Sequence, residues 1–221
     1  MSVLRSQLDP FQAARSALTG RRAAVVGAGR SGRSAAAFLA GAGAEVRLVD
    51  TRAEPPEPDA LAALPRAVTT AFGALDAGAL VDCDLLVVSP GLPLSEPAIV
   101  AARAGGAEVV GDVELFGRFA NAPVVAITGS NGKSTVTTLL GELYAGAGFL
   151  AAVGGNLGTP ALELLREEAP AAYILEISSF QAEALTTFRP DVGVLINLSP
   201  DHLDRYASYD DYVAAKLALF Q

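Results

Sequence analysis

Short apolar runs, many of them β-branched, alternate along this 221-residue chain with longer stretches rich in alanine and leucine. This alternation is typical of an α/β protein with parallel strands and crossover helices, because strands buried on both faces lack regularly spaced polar positions. The segment 54–59 contains three prolines and is predicted to be a loop. The first half is predicted to form strands at 23–26, 45–49, 85–88 and 108–110 and helices near 31–42 and 95–104.

The same alternation starts again beyond residue 110, where a connecting helix is followed by an apolar strand and a glycine-rich loop. We therefore predict two domains, residues 1–110 and residues 111–221, each with its own parallel sheet. The second is predicted to contain strands at 123–127, 172–175 and 192–196 and helices at 112–120, 133–145 and 209–220.

The final predicted helix reaches the last residue without a glycine or another stop signal. Because the second predicted sheet has only about three strands, we expect the second domain to be incomplete in this chain. The apolar face of the final helix would be formed by Tyr212, Val213, Leu217 and Phe220.

Charge and composition argue against several classes of protein. No apolar run approaches the roughly 18 residues needed to span a bilayer, and the first 20 residues mix charged and apolar positions, unlike a signal peptide. A single cysteine fits a reducing compartment, so we predict a cytoplasmic protein without membrane insertion. A net charge of −8 without a basic tract predicts no nucleic-acid partner. A phosphate ligand remains compatible, since a helix N-terminus binds phosphate through backbone N–H groups.

Lysine is nearly absent from the chain. Of the 16 basic residues, 14 are arginine and only Lys133 and Lys216 are lysine, and His202 is the single histidine. Arginine is planar and always charged, whereas lysine is a compact point charge that can lose its proton. We interpret the two lysines as positions where an amine is required.

A dinucleotide-type fingerprint, Gly27-Ala28-Gly29-Arg30-Ser31-Gly32, follows the first predicted strand and opens a predicted helix. Its glycines would let the backbone approach a pyrophosphate at the helix N-terminus, and Asp50, at the end of the next strand, would accept hydrogen bonds from a ribose or a base. Ser89 follows another strand at the same sheet edge. The pattern predicts a nucleotide diphosphate ligand, and it leaves open a nicotinamide oxidoreductase or a purely structural turn.

A phosphate-binding loop follows the predicted strand 123–127. Gly132-Lys133-Ser134 matches the end of a Walker motif, in which backbone N–H groups and the lysine hold phosphates and the hydroxyl binds Mg²⁺. Ile127 replaces the first glycine of that motif, so the match is imperfect. Glu176 and the run Asp201-His202-Leu203-Asp204 follow later strands, and parallel pairing would bring them to the sheet edge that carries the loop.

Together these motifs resemble the Mur ligases, in order and in approximate spacing, and the resemblance covers essentially the whole chain. Ser89-Pro90-Gly91 and Gly111-Asp112-Val113-Glu114-Leu115-Phe116 are similar to the D-glutamate-adding branch of that family in particular. The segments that resemble successive family motifs in the second half are 128–135, 154–158, 175–181, 201–206 and 214–217.

The resemblance implies a Rossmann-like N-terminal domain for a UDP-sugar, a central P-loop ATPase domain and a C-terminal domain for the incoming amino acid. This chain would contain the first domain and part of the second, so we expect no ligation by the 221 residues alone. For the whole enzyme the resemblance implies a ligase of peptidoglycan synthesis that adds D-glutamate to UDP-N-acetylmuramoyl-L-alanine and converts ATP to ADP and phosphate. The substrate carboxylate would attack the γ-phosphate to give an acyl phosphate, from which the amine of D-glutamate displaces phosphate.

The resemblance also implies a role for individual side chains, with lysine and two Mg²⁺ ions neutralising the anions that must meet. Contacts with the UDP-sugar are implied for Arg30, Ser31, Gly32, Asp50, Thr51, Arg52, Ser89, Asn156, Ser178 and Gln181. Contacts with ATP are implied for Gly129, Ser130, Asn131, Gly132, Lys133, Ser134 and Thr135. Metal binding is implied for Ser134, Glu176, His202 and Lys216, and catalysis for Lys133, Glu176, His202 and Lys216.

Lys216 lies among small and apolar neighbours on a predicted helix, so burial of its stem should lower the pKa of its amine. A neutral amine reacts with CO₂ to give a carbamate, an anion suited to Mg²⁺, whereas arginine does not. The resemblance implies such a carbamate at Lys216.

The sequence therefore leaves three functions open: the ligase or its N-terminal part, a nicotinamide oxidoreductase, and a non-catalytic nucleotide-binding module. Against the oxidoreductase, the sequence offers no convincing hydride-transfer site beside the fingerprint, because His202 lies in the second half.

Overall fold

A computed structural model describes residues 9–75, 78, 80 and 82–221. Their packing divides the chain into two compact units. The first unit is Phe11–Leu115, and the second is Phe116–Gln221 with the few described residues before Phe11. Each unit carries its own sheet. The division falls between Leu115 and Phe116, whereas the predicted domain boundary lies at residue 110.

The first sheet consists of the strands Arg22–Val26 (β1), Glu45–Asp50 (β2), Val68–Phe72 (β3), Leu85–Val88 (β4) and Glu108–Gly111 (β5). Every pairing in it is parallel, and the strand order is β3-β2-β1-β4-β5. The order reverses between β1 and β4, and ligands of doubly wound sheets bind at that reversal. The helices of this part of the chain are Pro10–Leu18 (α1), Arg30–Gly41 (α2), Pro58–Ala62 (α3), Pro97–Ala104 (α4) and Asp112–Gly117 (α5).

The first core is formed by the strands and the helices packed on them. Every residue of β4 is buried, as its uninterrupted apolar run predicts. Ala35 and Ala36 on α2 are fully buried, and their small side chains let this helix lie close to the sheet. Each large aliphatic side chain removed from water in this way contributes about 1.5–3 kcal/mol.

The four strands predicted for the first half are confirmed as β1, β2, β4 and β5, and the two predicted helices as α2 and α4. The strand β3 was not predicted, because it is an edge strand whose central residues, Thr69 and Thr70, are exposed and interrupt any apolar run. The predicted loop at 54–59 is wrong for its last two residues, Pro58 and Asp59, which are helical. Pro58 is the first residue of α3, a position where proline is favoured because it needs no N–H partner there.

The second sheet consists of Val124–Thr128 (β6), Ala151–Gly155 (β7), Ala172–Glu176 (β8) and Val192–Leu195 (β9). It is also parallel, in the order β7-β8-β6-β9, and every residue of β6 and β8 is buried. Its helices are Lys133–Gly146 (α6), Ser179–Ala182 (α7) and Tyr209–Leu217 (α8), with 3₁₀ turns at Ala161–Leu164 and Ala218–Phe220.

Two predictions for the second unit are wrong. The sheet has four described strands rather than about three, because β7, which ends in two glycines, lacks the apolar signature of a strand. The apolar face predicted for the last helix is also wrong, since Leu217 and Phe220 are 40% and 45% exposed. The face that packs inward carries Tyr212, Ala215, Lys216 and Leu219, at the helical spacing i, i+3, i+4 and i+7.

The predicted α/β class is confirmed in both units. In the second unit, parallel pairing aligns the ends of β6, β8 and β9, so that Thr128, Glu176 and Leu195 lie along one sheet edge. No helix in the described part of the chain is both long enough and apolar enough to cross a membrane.

Candidate nucleotide-binding sites

The first candidate site is the turn between β1 and α2. Gly27 has a φ of +99°, and a Cβ there would lie 2.6 Å from the Cβ of Ser89. A Cβ on Gly32 would overlap the carbonyl oxygen of Gly27, so α2 can begin this close to β1 only with glycine at that position. The fold itself therefore requires Gly27 and Gly32.

Gly29 differs from these two glycines. It caps α2 with φ −69° and ψ −177°, and a Cβ there would meet no other described atom within 4 Å. The described structure therefore gives no internal reason for a glycine here. The N–H groups of the following residues 30–32 have no partner inside the helix, so open space lies beside free donors. This is the arrangement that a pyrophosphate close to the backbone would need.

Asp50 is buried at the end of β2, and its carboxylate accepts four hydrogen bonds. Oδ1 accepts from the backbone N–H and the Nε of Arg52, at 2.9 and 2.8 Å. Oδ2 accepts from the N–H of Ala28 and from Nη2 of Arg52, both at 2.6 Å. The pairing with Arg52 is the main reason that the pKa of Asp50 is held at about 2 despite burial.

Because a carboxylate offers about four lone-pair positions, Asp50 is saturated by its own chain. A ribose or base could bond to it only by replacing one of these bonds. The contact of Asp50 with the uridine stays a prediction. Arg52 has the more accessible side chain of the pair, being 51% exposed.

Arg33 belongs to this site although it is not among the predicted residues. Its largely buried guanidinium donates to the carbonyl oxygen of Ala28 at 2.9 Å and pairs with Glu57 at 2.9 Å. The peptide groups on either side of Ala28 are thus held by Asp50 and by Arg33. A second arginine directly after the fingerprint, followed by the small residues Ser34 to Ala37, is the signal in the sequence that points to this role.

The other predicted residues of this unit lie around the same turn. Arg30 and Ser31 are in the first turn of α2, and Thr51 is exposed directly after β2. Ser89 follows β4, and its N–H donates to the carbonyl oxygen of Val26 at 2.9 Å. The strand order thus brings Ser89 next to the fingerprint turn.

The second candidate site is the loop between β6 and α6. The N–H of Ser130 donates to the carbonyl oxygen of Asn197 at 3.1 Å, and the N–H of Asn131 to Oδ1 of the same residue at 3.0 Å. The N–H groups of residues 133–135, in the first turn of α6, have no partner inside the helix. Gly132, with a φ of +81°, turns the chain into that helix. The donors open to a phosphate therefore include those at the start of α6.

Lys133 folds back onto the loop, and its Nζ donates to the carbonyl oxygen of Ser130 at 3.0 Å. This bond places the amine beside the free N–H groups of the helix start. A phosphate bound there would replace the carbonyl oxygen of Ser130 as the hydrogen-bond acceptor of this amine.

Residues after β9 brace the loop, and they are not among the predicted site residues. The hydroxyl of Ser130 donates to the carbonyl oxygen of Ser199 at 2.9 Å and accepts from the N–H of Ser199 at 2.9 Å. The same hydroxyl lies 2.8 Å from the hydroxyl of Tyr212. The polar residues that directly follow the predicted strand 192–196 are the signal that could have predicted part of this brace.

Glu176, buried at the end of β8, connects the loop to the sheet. Its Oε2 accepts from the hydroxyl of Ser134 at 2.7 Å, and its Oε1 accepts from the side-chain amide of Asn156 at 2.6 Å. Carboxylate and hydroxyl oxygens are the ligands that Mg²⁺ prefers, so Ser134 and Glu176 fit the predicted metal. Asn156 is predicted to contact the sugar, and in the structure its side-chain amide donates to Glu176.

His202 is the one non-glycine residue with positive φ, +53°, among the described residues. Its N–H donates to Oδ1 of Asp201 at 2.9 Å, and its ring centroid lies 4.8 Å from that of Phe180. A left-handed backbone is unfavourable for such a side chain, and such strain concentrates at functional sites. The described residues contain no group of three or more His, Cys, Asp and Glu side chains that could hold a metal. The predicted role of His202 in metal binding stays a prediction.

Lys216 is buried, with 2% of its surface exposed. Its Nζ donates to the carbonyl oxygen of Gly129 at 2.8 Å and lies 4.8 Å from the centroid of the Tyr212 ring. Burial, followed by the charge of Lys133, lowers the pKa of Lys216 to about 8. The loop is therefore contacted by both lysines of the chain.

Ser178 and Gln181 bond to each other at the start of α7. The hydroxyl of Ser178 accepts from the N–H of Gln181 at 3.2 Å, and Oε1 of Gln181 accepts from the N–H of Ser178 at 3.2 Å. This reciprocal pair is a capping box, which satisfies donors at a helix start. Their predicted contact with the muramoyl group stays a prediction.

These two sites, a dinucleotide-type turn in one parallel α/β unit and a phosphate loop with a buried carboxylate in the other, define a P-loop nucleotide-binding protein. Sequence comparison then gives the family. The MurD-like N-terminal domain of Mur ligases matches residues 21–111, and the Mur ligase middle domain matches residues 127–221. The chain belongs to the Mur ligase family.

Among similar proteins, the UDP-N-acetylmuramoylalanine–D-glutamate ligase of Nitrosococcus oceani is 48% identical over 197 residues. The enzyme of the same name from Pseudomonas syringae pv. tomato is 50% identical over 200 residues. Each alignment covers 89% of this chain and 44% of the relative, so the chain spans less than half the length of these relatives.

Solved structures share the fold. The UDP-N-acetylmuramate:L-alanyl-γ-D-glutamyl-meso-diaminopimelate ligase of Neisseria meningitides has a TM-score of 0.60 at 20% identity, over 91% of this chain and 68% of that one. The UDP-N-acetylmuramate–alanine ligase of Thermotoga maritima has a TM-score of 0.56 at 21% identity, over 90% and 46%. At these identities the likeness concerns the fold alone.

The two kinds of glycine in the fingerprint should respond differently to substitution. Gly29→Val adds a side chain in open space at an ordinary φ, so thermal unfolding should match that of the parent. Gly32→Ala forces the backbone of Gly27 to move and should destabilise the first unit by roughly 1–3 kcal/mol, the usual cost of overpacking. Equal losses of stability for both variants, measured by denaturant unfolding, would contradict the distinction.

The buried amine of Lys216 should make stability depend on pH. Its pKa of about 8 in the folded protein lies below the ordinary 10.5, so between these values the unfolded chain binds more protons. The cost of burying the cation is fully present below pH 8 and is relieved as pH rises toward 10.5. Relative to Lys216→Met, the parent should therefore gain stability between about pH 8 and 10 in urea titrations. A pH-independent difference would show that the amine is not desolvated.

Proposed function

We propose that the chain is the nucleotide-holding part of an ATP-dependent ligase. In the complete enzyme, which we place in the cytoplasm, it would add D-glutamate to UDP-N-acetylmuramoyl-L-alanine for peptidoglycan synthesis. The observation that carries the proposal is the 2.7 Å bond between the Ser134 hydroxyl and the buried Glu176 carboxylate, next to the free N–H groups of α6. The names of relatives at 48–50% identity support the choice of substrates.

In this proposal the second unit holds ATP and a divalent cation. The N–H groups at the start of α6 and the amine of Lys133 would bind the β- and γ-phosphates, and Ser134 and Glu176 would hold Mg²⁺. When bound, the cation offsets the repulsion between a phosphate and an incoming carboxylate. Residues 196–199 keep the loop open, because they satisfy the donors and acceptors of Ser130 and Asn131.

The first unit would hold the UDP-sugar. Its diphosphate would lie on the open space beside Gly29, against the free N–H groups of α2, and Arg52 would present its exposed edge to the uridine. The free carboxylate of the L-alanine of that substrate would attack the γ-phosphate of ATP and release ADP. The amine of D-glutamate would then attack the acyl phosphate, and phosphate would leave as the amide forms.

A nicotinamide oxidoreductase is less well supported. Such an enzyme needs the carboxylate after the second strand to accept the hydroxyl groups of a ribose. In this chain Asp50 already accepts four bonds from Arg52 and Ala28. The third hypothesis, a non-catalytic nucleotide-binding module, shares the phosphate loop with the ligase and differs from it in the UDP-sugar.

Calorimetric titration of the 221-residue chain with three ligands tests the proposal. We expect binding of UDP-N-acetylmuramoyl-L-alanine and of MgATP, and none of NADH. Gly29→Val should lose the UDP-sugar and keep MgATP. Lys133→Met should keep the UDP-sugar and weaken MgATP by roughly 10- to 100-fold, because it removes a charge-assisted contact. These two variants serve as controls for each other.

Tight NADH binding without UDP-sugar binding would instead favour the oxidoreductase. Binding of MgATP alone would favour the non-catalytic module.

We also propose that Lys216 carries a carbamate in the working enzyme. Its pKa of about 8 increases the neutral amine at neutral pH on the order of a hundredfold over an ordinary lysine. The neutral amine adds to the carbon of CO₂ and releases one proton, which leaves an N-bound carboxylate. This anion, unlike the ammonium, would suit Mg²⁺, and we assign it, together with His202, to the second of the two ions, the first being held by Ser134 and Glu176.

A carbamate at Lys216 should give a ¹³C signal when the chain is equilibrated with ¹³C-labelled bicarbonate at about pH 8. The signal should be absent from Lys216→Arg, which keeps the charge but does not form a carbamate. In a full-length enzyme, Lys216→Ala should lose activity and recover part of it with added acetate. Full activity of Lys216→Arg would contradict the carbamate.

A further inference from the structure

Tyr212 is a large polar side chain that is buried against the phosphate loop. It is 0% exposed, and a buried hydroxyl needs a hydrogen-bond partner. Its partner is the Ser130 hydroxyl at 2.8 Å. Because the proton of Ser130 goes to the carbonyl oxygen of Ser199, Tyr212 must be the donor of this bond.

Helix α8 therefore contacts two consecutive residues of the loop, Gly129 and Ser130. Tyr212 and Lys216 are four positions apart and lie on the same helix face. Tyr212 donates to the side chain of Ser130, and Lys216 donates to the carbonyl oxygen of Gly129 at 2.8 Å. Tyr212 also lies under the amine of Lys216, which is 4.8 Å from the ring centroid.

The ring and the hydroxyl of Tyr212 have separable roles. The ring packs edge-on against Tyr206 at 5.5 Å and near His202 at 6.4 Å, contacts that phenylalanine would also make. Among the described residues, the hydroxyl adds only the bond to Ser130. Without it, the Ser130 hydroxyl would keep both of its bonds to Ser199, so Tyr212→Phe orphans no buried group on the loop.

We propose that Tyr212 is a positioning residue of the phosphate loop. Through Ser130 it fixes the loop in the shape that leaves the N–H groups of α6 free for a phosphate. The proposal rests on the proposed nucleotide site for its functional meaning, whereas the effect on the loop itself does not depend on a ligand.

Amide hydrogen exchange of the free protein tests the effect on the loop. In Tyr212→Phe, exchange at Ser130, Asn131 and Ser199 should be roughly three- to tenfold faster than in the parent, the loss expected for one hydrogen bond. The matched control is Tyr173→Phe, which removes a 2.7 Å bond from another fully buried tyrosine, to Asn121 at the opposite end of the sheet. It should leave these three amides unchanged.

Binding of MgADP gives the functional readout. Tyr212→Phe should weaken binding by roughly three- to tenfold, and Tyr173→Phe should not. In a Ser130→Ala background, Tyr212→Phe should have no further effect, because the partner of its hydroxyl is already gone. A merely structural role of Tyr212 would persist in that background.

Unchanged exchange at the loop in Tyr212→Phe, or an equal change in both variants, would overturn the positioning role. Faster loop exchange in Tyr212→Phe than in the parent, combined with no MgADP binding by the parent, would keep the positioning role and refute the proposed nucleotide site. A full effect of Tyr212→Phe in the Ser130→Ala background would show that the hydroxyl acts elsewhere.

Discussion

Parallel pairing of β6 with β8 on one side and β9 on the other is the constraint on which the second site depends. Because all three strands run the same way, the segments that leave them meet at one edge. The phosphate loop, Glu176 and the brace at 196–199 come from three distant parts of the chain and meet there for that reason. The two hydrogen bonds of the Glu176 carboxylate and the three of the Ser130 hydroxyl then fix the geometry of the site.

Many of the polar groups at both sites are occupied by the chain itself. The Asp50 carboxylate accepts four hydrogen bonds and the Ser130 hydroxyl takes part in three, so neither group has a position left for a ligand. What stays open is backbone: the N–H groups at the starts of α2 and α6. The side chains most visible in the motifs thus hold the turns in shape, and the helix ends provide the phosphate-binding donors.

Much of the fold followed from local pattern. The strand β4 and the greater part of β1, β6 and β8 are apolar runs, and the glycine-rich turns after β1 and β6 are distinctive. The edge strand β3 and the glycine-ending β7 carry no such signal, because their residues are exposed or small. The sequence predicts Tyr212 on an apolar helix face, whereas the structure places its hydroxyl within reach of Ser130. Long-range polar pairs of this kind leave no periodic trace in a sequence.

The bond between Lys133 and the carbonyl oxygen of Ser130 has a thermodynamic consequence. A free lysine side chain loses up to about 2 kcal/mol of rotamer entropy when it is fixed on a ligand. Here much of that ordering is already present, so a phosphate would exchange one acceptor for another with little further loss of side-chain freedom. The contribution of Lys133 to phosphate affinity is then the difference between its bond to the phosphate and its bond to the carbonyl oxygen of Ser130. This difference favours ligands that carry a full negative charge over neutral ones.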